Sequence, residues 1–218
     1  MRRVLLLLAV VLVAVGAAAV EDDDAARMSI VREVLAEVPL VDGHNDALYQ
    51  IRSEFANHVE LVDFTDTSDP DIAMHTDLTR LRQGGVGAQF WAVWVSTDLA
   101  EGDAVVAVLE QIDLVHRLIR AYPEDLELAT TAADVRRIHA AGRIASLIGV
   151  EGGYSIGSSL AVLRQLYALG ARYLTLTHWE NVPWADAATA APQVGGLSPF
   201  GEIVVREMNR LGICLLYT

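Results

Sequence analysis

A histidine and two acids lie in the stretch Leu40-Val-Asp-Gly-His-Asn-Asp46, LVDGHND. His44 and Asp46 stand two residues apart, which in an extended chain puts both side chains on one side. Imidazole and carboxylate so placed suit zinc and similar divalent ions. Glu151 follows an apolar run in ASLIGVEGG, Ala145 to Gly153, where a bare carboxylate calls for a cation partner. Its flanking glycines are expected to let backbone and metal approach closely. His178 closes RYLTLTH, Arg172 to His178. Any one such histidine is more often a structural hydrogen-bonder than a ligand, and His58, His75, His116 and His139 read as ordinary loop or helix residues. The weight lies in the set.

The elements that must position this set alternate. A short helix over Ile30 to Val38 precedes the strand carrying His44, and residues 52 to 80 read as a polar, irregular excursion. Ala88 to Val95, AQFWAVWV, is a buried strand by length and aromatic content. Val105, Val108, Leu109, Ile112, Val115 and Ile119 recur at helical spacing. A second helix starts near Thr131, with Asp134 three residues on, and stops at Gly142. After the Glu151 strand come a helix over Ser159 to Leu169, the His178 strand, and a helix opened by Ser198-Pro199 and closed by Gly212. ICLLYT then begins a fifth strand. Strands alternating with helices mean parallel β/α units. All four reactive positions fall at C-terminal strand ends, the active-site face of a (β/α) barrel.

Composition narrows the class. With 29 acidic against 16 basic residues in 218, nucleic acid is not a partner. One cysteine, Cys214, excludes an intrachain disulfide and leaves a thiol that is either buried or open to an intermolecular bridge. Arg2-Arg3, the apolar run Val4 to Val15 and Gly16-Ala-Ala-Ala19 have the order of a secretory signal peptide, residues 1–19, cleaved after Ala18 or Ala19. The competing reading is a membrane anchor, for which the apolar run is slightly short of the roughly 20 residues a span needs. Residues 20–218 then form the mature domain, expected in the secretory pathway and outside the cell.

The segments VDGHNDALYQIR, GGVGAQFWAVW, ASLIGVEGGYSIGSSLAVLRQLYALGARYLTLTHWENVPWADA and GLSPFGEIVVREMNRLG closely resemble the membrane dipeptidases, also called renal dipeptidases. The resemblance covers about the first half of that family's domain. It implies an α/β fold, the N-terminal half of a (β/α)8 TIM-type barrel with about four parallel β/α units. It implies zinc-dependent hydrolysis of dipeptides, cysteinyl-glycine and leukotriene D4 among them, by a hydroxide bridging two zinc ions. By motif position His44 and Asp46 match ligands of the first zinc, and Glu151 the carboxylate bridging both. His178 matches the catalytic, substrate-contacting histidine. Asp186 in PWAD reads as loop structure. The resemblance further implies homodimers and a GPI anchor at the cell surface.

The chain departs from the family where the later strands would begin. The later histidines of the second zinc site, an aspartate and an arginine for the substrate carboxylate have no match, and neither has the anchor signal. A C-terminally truncated product is therefore expected, its second zinc site incomplete and its first and fourth strands left with open edges. Two alternatives follow: a catalytically inert product, or a non-enzymatic half-barrel that pairs with a full-length subunit.

Overall fold

The computed structural model describes residues 23–69, 72 and 74–216, so the expected signal peptide lies outside the described residues. The chain divides into two units, Met1–Pro39 and Leu40–Thr218. In the first, helix α1 spans residues 23–37, longer than the expected helix because it begins in the acidic run, where Arg27 pairs with Asp23 and Asp24. No helix among the described residues is long and apolar enough to cross a membrane.

The second unit is built on one parallel sheet. Its strands are β1 (Leu40–Asp42), β2 (Val86–Trp94), β3 (Leu126–Leu128), β4 (Ile144–Glu151), β5 (Ala171–Thr175) and β6 (Cys214–Leu216). The path runs β1-β2-β4-β5-β6, and β3 pairs with the start of β4. Between them lie α2 (Ala47–Phe55), α3 (Leu78–Gln83), α4 (Glu101–Ala121), α5 (Ala132–Ala140), α6 (Leu160–Ala168) and α7 (Pro199–Leu211). Every pairing is parallel, as the alternation of strands and helices requires. Among the described residues the open edges are those of β1, the first expected strand, and of β6 in place of the fourth, because the ICLL segment pairs beside the fourth. Cys214, on that outer strand, is exposed.

All eight residues of β4 are buried, which explains its unbroken apolar sequence. Alternation then sorts its two faces. Ile148 and Val150 join Trp91 and Val93 of β2 against the apolar faces of α2, α4, α6 and α7. Ala145 and Leu147 face the other way with Ala88, against Val135 and Ile138 of α5, and Gly149 and Glu151 continue this second face. Glu151 thus stands on the face opposite α2, α4, α6 and α7.

Helix α5 opens with a capping box: the Thr131 hydroxyl accepts the Asp134 N–H at 3.0 Å, while Asp134 accepts back from Thr131. Hydrogen bonds from Thr131 and then Thr130 hold the Asp134 carboxyl at about 2. A depressed folded pKa contributes stability that is present above the unfolded value, about 3.9, and lost as pH falls through the folded one. Asp134→Asn is expected to lower the melting midpoint at pH 7. The gap from wild type should close as pH falls from about 4 toward 2. Thermal melts across that range check it, and a gap independent of pH would refute the charge-based account.

Candidate metal centre

Strand β1 stops at Asp42, so His44 and Asp46 do not project from an extended strand as expected. They flank the turn into α2, where Asp46 occupies the N-cap position. Asn45 sets this turn. Its carbonyl accepts the Ala92 N–H at 2.9 Å, prolonging the β1–β2 pairing, and its Oδ1 accepts the Ala47 N–H at 3.0 Å. Its Nδ2 donates to Thr76 Oγ1 at 2.9 Å. With Asn45 held, the residues on either side of it point to a common space.

That space is closed by Glu151, the last residue of β4. His44 Nε2 lies 3.3 Å from Asp46 Oδ1 and 3.4 Å from Glu151 Oε2. One ligand atom from each of His44, Asp46 and Glu151 falls within 4.8 Å of the other two. His178 lies beyond the end of β5 and brings Nε2 to 3.2 Å from Glu151 Oε1, the carboxylate oxygen turned away from His44. All four residues named by sequence are thus brought together around one carboxylate.

Glu151 is 8% exposed. Burial pushes its carboxyl above the usual range, and among the described residues its only ion-pair partners are the imidazoles of His44 and His178. The hydrogen bond between His44 and Asp46 raises the imidazole's pKa and lowers the carboxyl's. A buried carboxylate with no arginine or lysine against it, facing a second carboxylate and two imidazoles, is the donor set of a divalent cation. The residues fit a metal.

Two neighbours escaped the sequence reading. The Trp94 indole N–H, which can only donate, reaches His178 Nδ1 at 3.2 Å. The imidazole proton of His178 therefore sits on Nε2, aimed into the site. Tyr173 brings its phenol oxygen to 3.3 Å from His44 Nδ1. Both residues sit in runs that read as packed strands, and no local pattern marks them.

The glycines after Glu151 do not make room for a metal. A Cβ at Gly152, where φ is +96°, would meet the Tyr154 ring at 2.3 Å, and one at Gly153 would meet the Leu176 carbonyl at 2.2 Å. They admit protein, and the backbone is pinned by the Gly152 N–H donating to Thr175 Oγ1. Asp186 is structural, as expected: its carboxylate accepts the N–H groups of Gln193, Val194 and Gly196. Those bonds hold its carboxyl below the usual range, Gly196 foremost.

Two hollows adjoin the centre. One of about 590 Å³ is lined by Glu151, His178 and Trp179 and by Leu176, Leu197 and Leu216. The other, about 530 Å³, lies beside His44 and Asp46 and includes His75, which by sequence reads as an ordinary loop or helix residue.

Residues 28–215 match the family model described as membrane dipeptidase (peptidase family M19). Dipeptidase 3 of Mus musculus is 46% identical over 187 residues, covering 84% of this chain and 36% of that protein. Dipeptidase verJ of Clonostachys rogersoniana is 46% identical over 197 residues, covering 85% and 50%. A solved metallo peptidase from Rhodobacter sphaeroides, liganded with a phosphinate mimic of the dipeptide L-Ala-D-Ala, superposes with a TM-score of 0.69 at 26% identity, covering 82% of this chain and 58% of that one. The chain spans about a third to a half of the curated relatives it matches. Its curled parallel sheet is that of a partial TIM-type barrel.

Proposed function

The chain belongs to the membrane dipeptidase family, peptidase family M19, and on that premise we propose that it carries the metal-binding half of a zinc dipeptidase centre. His44, Asp46 and Glu151 are the residues that would hold zinc, Glu151 with both carboxylate oxygens available to it, and His178 would contact the substrate. One observation carries the reading: three ligand atoms within 4.8 Å, one of them on a buried carboxylate that no arginine or lysine compensates. Bound zinc supplies Lewis-acid polarisation of a peptide carbonyl and an activated water.

The chain's own residues do the rest. Glu151 offers one oxygen to the His44 side and the other to the His178 side. With its Nε2 proton fixed by Trp94, His178 donates to the oxygen on which charge develops during attack. The substrates proposed are dipeptides, cysteinyl-glycine and leukotriene D4 among them. Export through residues 1–19, action outside the cell and pairing into homodimers belong to the same proposal.

The test is a graft in which residues 28–215 replace the matching segment of the Clonostachys rogersoniana dipeptidase. Zinc-dependent hydrolysis of a dipeptide within about tenfold of the parent is expected, since tenfold corresponds to only about 1.4 kcal/mol in the barrier. A graft that melts like the parent yet hydrolyses nothing would overturn the reading in favour of a non-enzymatic half-barrel.

A further inference from the structure

A ligating histidine needs its second ring nitrogen held, because that bond fixes which nitrogen faces the metal and how the ring is turned. His44 turns Nε2 toward Asp46 and Glu151, so the nitrogen to be held is Nδ1. The partner found there comes from the opposite side of the sheet. Tyr173 is on β5, with β4 and β2 between it and β1. It is 4% exposed, and its ring lies against Phe90 of β2, centroids 5.1 Å apart. The phenol oxygen ends 3.3 Å from His44 Nδ1.

This crossing depends on one residue. Tyr173 is the register partner of Gly149 on β4, and its ring passes over that position. A Cβ at Gly149 would lie 1.9 Å from Tyr173 Cζ and 2.3 Å from its hydroxyl. Any side chain there would push the ring off the sheet and the hydroxyl away from His44. The glycine in LIGVE is thus explained by a side chain with two strands between it and the histidine it serves.

We propose that Tyr173 is the positioning residue of the metal centre: crossing β4 over Gly149, its hydroxyl accepts the His44 Nδ1 proton and presents Nε2 to the metal. The inference rests on the reading of His44 as a ligand, and the experiment separates the two. Zinc affinity of the 218-residue chain is measured by competition with a chromophoric chelator, for wild type and for Tyr173→Phe, which keeps the ring and removes only the oxygen. A loss of about 10- to 100-fold is expected, as for other outer partners of metal-bound histidines, with the metal-free melting midpoint nearly unchanged. Long-range nitrogen–proton spectra of the zinc-loaded, nitrogen-15 histidine-labelled wild type should show His44 protonated on Nδ1. If Tyr173→Phe binds zinc as tightly as wild type, or His44 ligates through Nδ1, the role of Tyr173 is overturned while the metal centre stands. If wild type binds no zinc, both fall.

Discussion

Glu151→Gln in the grafted dipeptidase is expected to reduce kcat/KM by well over the about 10- to 100-fold that losing an outer partner costs, because under the proposed ligation the position is itself a ligand. Glutamine keeps the shape of the side chain and removes its charge. It also replaces one acceptor oxygen by an N–H₂ donor, which then faces either His44 or the Nε2 proton of His178. The arrangement facing His178 sets donor against donor, and the one facing His44 turns an N–H₂ toward the proposed metal position. The metal-free 218-residue chain should respond with the opposite sign. Burial already disfavours the charged form of Glu151, and the neutral amide removes that cost. Thermal melting without metal should therefore show an unchanged or higher midpoint at pH 7. A lower midpoint together with retained hydrolysis would mean that Glu151 serves the fold and that the metal lies elsewhere.

The second large effect concerns the 218-residue polypeptide assayed with no added segment. It is expected to bind zinc yet hydrolyse dipeptides at least about a hundredfold more slowly than the graft, the cost typical of losing one oxyanion donor. His44, Asp46 and Glu151 form the one candidate ligand group found among the described residues, and His178 is the imidazole beside it. The hollow next to Glu151 and His178 has Leu215 and Leu216 of β6 for one wall, and β6 is an edge strand. Under the proposed reading His178 contacts a substrate there, and a substrate held from that side alone seldom reaches reactive geometry. Steady-state kinetics on matched amounts of graft and chain, with zinc saturating, decide the matter. Equal rates would show that these residues suffice for catalysis.

What sequence could reveal depended on whether a role is local. Strands β2 and β4 were legible because both faces are buried and the apolar run is continuous. Strand β3 was missed, since three residues with a glutamate in the middle carry no periodicity. Helix α2 was not read, and its last four residues fell in the excursion over 52–80: it lacks a side-chain cap, and only Ala47, Leu48 and Ile51 of its residues are buried. The residues that gather at the candidate centre were legible from residue type and from their place near strand ends. The turn presenting His44 and Asp46 was not, because it is set by Asn45 reaching Thr76 across the fold. Trp94 and Tyr173 were invisible for the same reason. Their partners lie 84 and 129 residues away, and only the curl of the sheet brings them into range.

Strand β1 has one bonded neighbour and exposes Leu40 and Val41, whereas β4 is bonded along both sides and wholly buried. Under the proposed ligation, one metal site draws on the least and the most protected parts of the sheet. Local opening of the β1 edge carries His44 and Asp46 away from Glu151 at little cost in buried surface. A metal that binds only the closed arrangement raises the free energy of that opening, by about 2.7 kcal/mol when its free concentration is a hundred times its Kd. Zinc supply then sets how long the N-terminal edge stays shut, and with it how quickly a protease meets this end of the chain.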